Sequence, residues 1–373
     1  MMKHILRKLS AGLMSLFILM GGAAFAQSFP PETIPSLISA IRVPGPLDFC
    51  GEKVPLHETE IREDMEKELL LSIWERAQVI LWIKRSGRYM PYIEKILRQN
   101  SMPDDLKYVA IVESSLLPHI GSSKGAVGYW QFIPDTGRRY GLRVDKDMDE
   151  RRNFFSATRA AMSYFQKLHQ DLGSWTLAAA AYNMGEYGLQ RRIEEQKTND
   201  YYHLYLPLET QRYVYKILAA KLILSDPEKY GFQLKQEDIY LPRQFDRVRM
   251  EISEDTVSLQ LIAEAAGTWF KTIKDMNPEI RGNSLAPGSH DILIPKGKAQ
   301  GFQERFAALV QREQAEKQAR EAALKEIVYV VRRGDYLSAI AERFKVPMSD
   351  LLRWNSLRYN SKVHPGQKLI IKQ

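Results

Sequence analysis

From about Glu60 to about Leu224, apolar residues recur with the spacing of amphipathic helices. Gly, Pro and Asn residues separate these segments, and the alternation typical of β-strands is almost absent. One segment, WTLAAAAYNMG, follows Ser174, which can cap a helix, and Gly185 can end that helix. The pattern predicts a mainly α-helical domain at residues 60–235.

The C-terminal third of the chain contains an internal repeat. The segments that start at Ser258 and Tyr336 align at an offset of 78. Each copy ends in a short apolar strand, DILIP or KLIIK, and each begins with another, VRMEI or VYVVR. The pattern predicts two small βααβ units, a middle module at 246–297 and a last module at 327–373. The alignment needs no gap between three matched points: Leu259 with Leu337, Asn277 with Asn355, and Pro287-Gly288 with Pro365-Gly366.

Three further segments surround these domains. Residues 298–326 are charged and Ala-rich, which predicts a solvated helical linker. Residues 27–59 are rich in Pro and turn residues, which predicts a flexible N-terminal segment. Residues 1–26 combine a basic start, a short apolar run and the small-x-small site Ala24-Phe25-Ala26. That combination is typical of a secretory signal peptide, and an uncleaved membrane anchor is the alternative.

The predicted signal peptide indicates secretion across the inner membrane into the periplasm. A lipoprotein would carry a cysteine directly after the apolar run, but the chain's one cysteine is Cys50, far downstream. No lipoprotein anchor is therefore evident, and a single thiol cannot form an internal disulfide.

The charge of the chain narrows the choice of partner. The formal net charge is +8, and it falls to +5 when the three basic residues of 1–26 are removed. A modest positive excess suits an anionic cell-wall polymer or peripheral contact with a membrane surface. The Lys and Arg residues are scattered and no nucleic-acid motif accompanies them, so nucleic acid is not expected as a partner. The seven histidines lack metal-ligand spacing, so we expect no metal and no cofactor. We also expect the protein to be a monomer.

The segment SMPDDLKYVAIVES contains the candidate catalyst, Glu113. Ser101 can cap a helix there and Pro103 is tolerated in its first turn. Leu106, Ala110 and Glu113 then lie at i, i+4 and i+7, on a face that we expect to be buried. Burial raises the pKa of a carboxyl group, as a general acid requires. The alternative is a structural glutamate paired with an arginine or a helix terminus.

The segment after Glu113 favours a sugar-binding site. Three glycines permit close approach of a ligand to the backbone. The side chains among them offer hydroxyl groups, an amide and flat aromatic faces on which sugars could stack. Two more polar clusters, AYNMG and ETQRY, lie where other predicted helices end and begin. The residues in the segment itself are Gly121, Ser122, Ser123, Gly125, Gly128, Tyr129, Trp130 and Gln131.

The segment ESSLLPHIGSSKGAVGYWQFIPDTGRRYGL resembles the catalytic segment of lytic transglycosylases of the soluble-lytic-transglycosylase type. The partner motifs AAYNMGEYG and ETQRYVYKIL follow in the order of that family, and the repeated tail resembles LysM peptidoglycan-binding modules. The resemblance covers roughly residues 60–373. It implies a lysozyme-like helical domain followed by two LysM-like modules. It also implies cleavage of the β-1,4 bond between N-acetylmuramic acid and N-acetylglucosamine in peptidoglycan glycan strands, with 1,6-anhydro ends as products.

The resemblance also implies roles for particular residues. Glu113 would be the catalytic acid and base. Glu209 would cap or brace the helix that presents Tyr213, and a direct catalytic role is the alternative. The groove would be lined by Ser122, Gln131, Tyr182, Asn183 and Tyr213. From their own chemistry, Ser123 and Tyr129 are predicted to bind the substrate beside them. In the last module, glycan binding would fall to Gly334, Asp335, Tyr336, Leu337 and Asn355.

The chain departs from the family pattern at Leu116, Leu117 and Met184, which could alter subsite preference without removing the acid. Tyr336 replaces a common Thr in the last module. The middle module lacks the Gly-Asp pair, so it is either a degenerate glycan binder or a structural spacer.

Two other functions stay open at this point. A lysozyme-type hydrolase of the same bond would need a second carboxylate that faces Glu113 across the groove. A non-catalytic scaffold would bind peptidoglycan without cleaving it.

Overall fold

The computed structural model describes residues 36–43, 45–253, 255–323 and 326–372. The expected signal peptide lies outside these residues. Within the described ranges, no helix is both long and apolar enough to cross a membrane.

Helices dominate the chain up to residue 225, so the prediction of a mainly α-helical domain is confirmed. The short strands β1 (Asp48–Phe49) and β2 (Glu52–Lys53) form an antiparallel pair between the first two helices. A 3₁₀ turn at Asp104–Tyr108 precedes α4. The helices are α1 (Leu37–Ala40), α2 (Thr59–Trp74), α3 (Arg76–Gln99), α4 (Val109–Ser114), α5 (Pro134–Arg139), α6 (Phe154–Leu172), α7 (Trp175–Met184), α8 (Glu186–Gln196) and α9 (Leu208–Ser225).

The helix α7 lies at the centre of this domain. Its alanines at 178–181 are fully buried, since α6, α8 and α9 all pack against it. Ser174 caps its start by accepting a hydrogen bond from the amide of Leu177 at 3.3 Å, and Gly185 ends it with a φ of 93°. Both assignments made from the sequence are confirmed. Small side chains let the helices approach closely here, which places the end of α7 at the groove described below.

The expectation of a flexible segment at 27–59 is wrong for the part that surrounds β1 and β2. Phe49 is fully buried in the core. The amide of Cys50 donates to Asp105 at 2.7 Å, and the carboxylate of Glu52 accepts from the amide of Thr176 at 3.0 Å. A carboxylate at the start of α7 also interacts favourably with the helix dipole. This stretch is therefore a fixed part of the helical domain.

The C-terminal region contains the two predicted βααβ units. In the middle module β3 pairs antiparallel with β6, and in the last module β7 pairs antiparallel with β8. The elements are β3 (Phe245–Ile252), β4 (Val257–Ser258), α10 (Leu259–Ala265), α11 (Phe270–Met276), β5 (Ser284–Leu285), β6 (Gly288–Pro295), α12 (Phe302–Ala323), β7 (Glu326–Val330), α13 (Leu337–Arg343), α14 (Met348–Trp354) and β8 (Lys368–Lys372).

The repeat seen in the sequence corresponds to a repeated set of hydrogen bonds. The side chain of Asn277 donates to the carbonyl of Leu293 and accepts from its amide, both at 2.8 Å. Asn355 makes the same pair of bonds to Ile370, at 2.7 Å each. In both modules the asparagine therefore ties the second helix to the last strand.

The expectation of a solvated linker at 298–326 is wrong for the first turns of α12. Phe302 is fully buried against the middle module, and Phe306 and Leu309 pack beside it. Arg305 donates to the carbonyl of Ala265 at 2.7 Å. The start of α12 is therefore part of the middle module's core.

Candidate active site

A groove of about 790 Å³ crosses the helical domain. Its walls come from the end of α4, a groove loop at residues 120–133, the end of α7 and the start of α9. The residues predicted from the sequence that line it are Glu113, Ser122, Ser123, Gln131, Tyr182, Asn183 and Tyr213.

Glu113 lies near the C-terminal end of α4, as expected, but its helix begins differently. Pro103, not Ser101, precedes the 3₁₀ turn, and no side chain caps that turn. Leu106 and Ala110 are fully buried, whereas Glu113 is only half-buried. The shared face is therefore buried at its start and opens into the groove at the carboxylate.

The environment of Glu113 keeps its carboxyl group partly protonated near neutral pH. Burial raises its pKa from 4.5 to about 7. The hydrogen bond from Tyr213 and the charge of Lys216 oppose this rise, and the charge of Glu209 adds to it. A carboxyl with a pKa near the working pH can both donate and accept a proton.

Tyr213 is held rigidly beneath the groove. Its side chain is 3% exposed, and its hydroxyl donates to Oε1 of Glu113. The preceding residue, Arg212, forms a bidentate ion pair with the buried Glu68 of α2. This pair fixes the rotation of α9, so it also fixes the direction of the Tyr213 phenol.

Two charged residues at the start of α9, Glu209 and Lys216, border the groove. Glu209, Tyr213 and Lys216 lie at i, i+4 and i+7, so one face of α9 borders the groove. Lys216 was missed, although this spacing could have identified it. Glu209 is exposed at the rim and lies 3.8 Å from Lys124 of the groove loop. It therefore faces solvent and a lysine. It makes no side-chain capping bond, so the expected capping is wrong, whereas its place in the first turn of α9 is favourable for the helix dipole.

Tyr182 and Asn183, at the end of α7, are positioned by neighbours on opposite sides. The ring of Tyr182 stacks on Phe165 at 4.5 Å, and its hydroxyl donates to the carbonyl of Trp130 at 2.6 Å. The side-chain oxygen of Asn183 accepts from Thr210 at 2.8 Å. Because that bond occupies the side-chain oxygen of Asn183, its amide NH₂ group remains available to donate to a ligand.

The groove loop is shaped by its own polar groups. Gln131, at a φ of 48°, donates to the carbonyls of Ile120 and Gly128 at 3.0 and 2.9 Å. The hydroxyl of Ser122 accepts from the amide of Ala126 at 3.2 Å. The Gln131 amide therefore holds the loop, while Ser122 and Ser123 are exposed on the groove side.

The expectation that sugars stack on Tyr129 and Trp130 is wrong. Trp130 is fully buried and its indole donates to Thr158 at 3.0 Å. Tyr129 is 5% exposed and packs against Tyr89 and Phe154, away from the groove. Both side chains belong to the core because the loop turns inward at this point.

Tyr129 borders a second, smaller cavity of about 140 Å³, between the helical domain and the middle module. Aromatic rings from both sides line it, among them Tyr92 and Phe245. Glu279 of the middle module also lines it and is 3% exposed, and burial raises its pKa to about 7. The middle module is thus docked on the helical domain.

In the last module, several residues predicted to bind glycan have structural roles. Asp335 accepts hydrogen bonds from the hydroxyl of Tyr329 and the amide of Arg332, at 2.6 and 2.8 Å. Leu337 is buried in the module's core, and Asn355 braces β8. The two that are exposed are Gly334, in a turn with a φ of 90°, and Tyr336, which is 63% exposed.

Three segments of the chain match models of known protein families. Residues 90–205 match the transglycosylase SLT domain. Residues 244–311 match the LysM-like domain of lytic transglycosylase MltD, and residues 329–372 match the LysM domain.

Two individual proteins show the same relationship by sequence. Membrane-bound lytic murein transglycosylase D of Escherichia coli strain K12 is 37% identical over 333 residues, which covers 87% of this chain and 72% of that protein. The protein of the same name from Escherichia coli O6:H1 gives the same values. The solved structure of the 70 kDa soluble lytic transglycosylase SLT70 from Escherichia coli aligns with a TM-score of 0.34 at 16% identity, over 45% of this chain and 32% of that one. The 37% identity to the two transglycosylase D proteins shows that the chain belongs to the lytic murein transglycosylase family.

Proposed function

We propose that the protein is a peptidoglycan lytic transglycosylase, a carbon–oxygen lyase that cleaves the β-1,4 bond between N-acetylmuramic acid and N-acetylglucosamine without water. The observation that carries this proposal is the protonatable carboxyl of Glu113, which opens into a groove beside the hydroxyl of Tyr213.

The proposed reaction needs only one carboxyl group. Glu113 first donates its proton to the glycosidic oxygen, and the bond from that oxygen to C1 of the muramic acid breaks. The N-acetyl group of the same sugar stabilises the positive charge at C1. The ionised Glu113 then takes the proton of the C6 hydroxyl, and that oxygen bonds to C1 to close a 1,6-anhydro ring. The intramolecular attack is favoured by its high effective concentration.

The position of Glu209 supports this single-acid chemistry over hydrolysis. It is the other carboxylate among the residues that line the groove, and it is exposed at the rim beside Lys124. A hydrolase would need that carboxylate to direct water or attack C1. A rim position paired with a lysine suits neither task.

The remaining groove residues would bind and orient the glycan. Tyr213 holds the carboxyl of Glu113 in one orientation. The amide of Asn183 and the hydroxyls of Ser122 and Ser123 offer hydrogen bonds to sugar substituents. Tyr182 and Gln131 would act indirectly, by holding the groove walls in place.

We also propose that the protein acts in the periplasm as a monomer that remodels the cell wall. The signal-like residues 1–26 and the positive net charge support this location and a peripheral contact with the membrane. The last module, through Tyr336, would keep the enzyme on its polymer.

Mass spectrometry of muropeptides from digested sacculi tests the reaction. We expect ends in 1,6-anhydro-N-acetylmuramic acid, which resist borohydride and weigh one water less than hydrolytic ends. Glu209→Gln provides a matched comparison, because it removes the other groove carboxylate and should leave the same products. Reducible ends as the main product, lost in Glu209→Gln, would instead support a hydrolase. No cleavage by the folded wild-type protein would support a scaffold.

A further inference from the structure

One turn of the middle module lies directly against the helical domain. Residues 279–281 of the module lie beside residues 147–149, which precede α6. The amide of Asp149 donates to the carbonyl of Glu279, and the amide of Arg281 donates to the carbonyl of Asp147, both at 2.8 Å. These paired backbone bonds fix the register of the two segments.

Buried side chains reinforce this contact. The side-chain amide of Asn153 donates to Oε1 of Glu279 at 2.8 Å. Asn153 also caps α6, because its oxygen accepts from the amides of Phe155 and Ser156 at 3.0 Å each. A side chain of the module therefore orients the residue that begins α6.

Asp149 is the centre of a buried ion pair next to this contact. Its side chain is 3% exposed, and its two oxygens accept from Nε and Nη2 of Arg151 at 2.7 and 2.9 Å. Arg281 of the module lies 3.9 Å from the same carboxylate. A bidentate pair of this kind has a fixed geometry, so the guanidinium of Arg151 follows the position of Asp149.

The remaining nitrogen of the Arg151 guanidinium, Nη1, binds the groove loop. Its Nη1 donates to the carbonyl of Gly125 at 2.8 Å and to the carbonyl of Phe132 at 3.0 Å. These carbonyls belong to the middle and the end of the loop that presents Ser122 and Ser123 to the groove. One side chain thus links both parts of the loop to the ion pair.

We propose that the Asp149–Arg151 pair is a positioning unit for the groove loop, and that the middle module sets its position through Glu279 and Arg281. The module is then part of the catalytic apparatus, and not a spacer or only a glycan anchor. The consequence for catalysis rests on the proposed glycan site, whereas the consequence for the loop does not.

Hydrogen exchange of the full-length protein, followed by mass spectrometry, tests the link without using activity. The amides of Ser122, Val127 and Gly128 report the loop, since they bond to the carbonyls of Ala126, Phe132 and Ile120. We expect faster exchange of these amides in Glu279→Ala, which leaves Asn153 without its partner, and in Arg151→Lys, which cannot hold a carboxylate and two carbonyls together.

Two further variants separate this role from a general effect on the module. Glu279→Gln keeps an oxygen that can accept from Asn153, so it should restore slow exchange of the loop. Glu251→Ala removes an exposed carboxylate of the same module that bonds to Ser289 and Arg249, so it should leave the loop unchanged. The amides of β3 and β6 report in the same experiment whether the module remains folded.

Kinetics on soluble glycan strands provide the second readout. We expect Glu279→Ala to raise KM about 2- to 30-fold while kcat changes less, because Glu113 is held by α4 and Tyr213 and not by the loop. Wild-type exchange of the loop amides in Glu279→Ala, whether or not its module stays folded, would overturn the proposal. If the loop amides exchange faster in Glu279→Ala but the wild-type enzyme does not cleave glycans, only the proposed function is contradicted.

Discussion

The hydroxyl of Tyr213 donates a hydrogen bond to Oε1 of Glu113, although the two residues are 100 positions apart in the chain. This bond favours the ionised carboxylate, whereas burial favours the protonated carboxyl. The balance leaves the pKa of Glu113 at about 7. Tyr213 therefore orients the carboxyl group and, against the larger effect of burial, limits how far its pKa rises.

Replacing Tyr213 with Phe should move the pH dependence of the reaction. Loss of the hydrogen bond removes an interaction that lowers the pKa of Glu113, so that pKa should rise. A bond to a charged group of this strength corresponds to a rise of about one pH unit. The basic limb of kcat/KM on soluble glycans, near pH 7 in the wild type, should shift upward by that amount. Tyr215→Phe, on the same helix and outside the groove lining, is the matched control.

Glu113→Gln should abolish cleavage while the protein still folds and binds sacculi. Gln preserves the shape of the side chain but cannot donate and then accept the proton, so the rate should fall by at least ~10²–10⁴. Product formation from sacculi, measured beside a pull-down of the same variant, gives both quantities. Cleavage near the wild-type rate would show that another group is the acid.

The same substitution should stabilise the protein at alkaline pH. Because the folded protein holds the pKa of Glu113 near 7, above its usual 4.5, the carboxyl's contribution to stability is present below about pH 4.5 and is lost as pH rises through 7. Glu113→Gln does not titrate, so its free energy of unfolding relative to wild type should increase between pH 5 and pH 8 by roughly 1–3 kcal/mol. Urea unfolding at both pH values measures this difference. An equal difference at the two values would contradict the raised pKa.

Helical periodicity was sufficient to place Glu113 on one face with Leu106 and Ala110, but it predicted that the whole face is buried, whereas the carboxylate opens into the groove. The same reasoning failed for Tyr129 and Trp130, because composition cannot show which side of an irregular loop faces the core. Their burial depends on Tyr89 and Thr158, which are distant in sequence. The docking of the middle module could not be predicted from the sequence either, because it depends on a contact between Asn153 and Glu279, which are 126 positions apart.

Gly128→Ala should destabilise the protein by more than the cost of the positive φ of Gly128 alone. Gly128 has a φ of 88°, and an added Cβ would lie 1.9 Å from the carbonyl oxygen of Arg151. Gly141, with a φ of 84°, has open space around its Cβ position, so Gly141→Ala reports the cost of the backbone angle, about 1 kcal/mol. Urea unfolding should show a larger loss for Gly128→Ala, and kcat/KM on soluble glycans should fall only there. Equal losses would mean that the contact with Arg151 does not matter.

Shortening the chain at two positions should separate glycan anchoring from the integrity of the middle module. A chain ending at 323 keeps α12 and loses only the last module, so it should cleave soluble glycans normally but bind intact sacculi less tightly.

A chain ending at Gly297 also loses Phe302, which is fully buried in the middle module's core. Loss of a buried phenylalanine costs about 3–5 kcal/mol, so this shorter chain should also lose the module's fold. Through the contact of Glu279 with Asn153, it should then raise KM even for soluble glycans. Identical KM values for the two truncated chains, with the module unfolded in the shorter one, would show that the middle module does not support the groove.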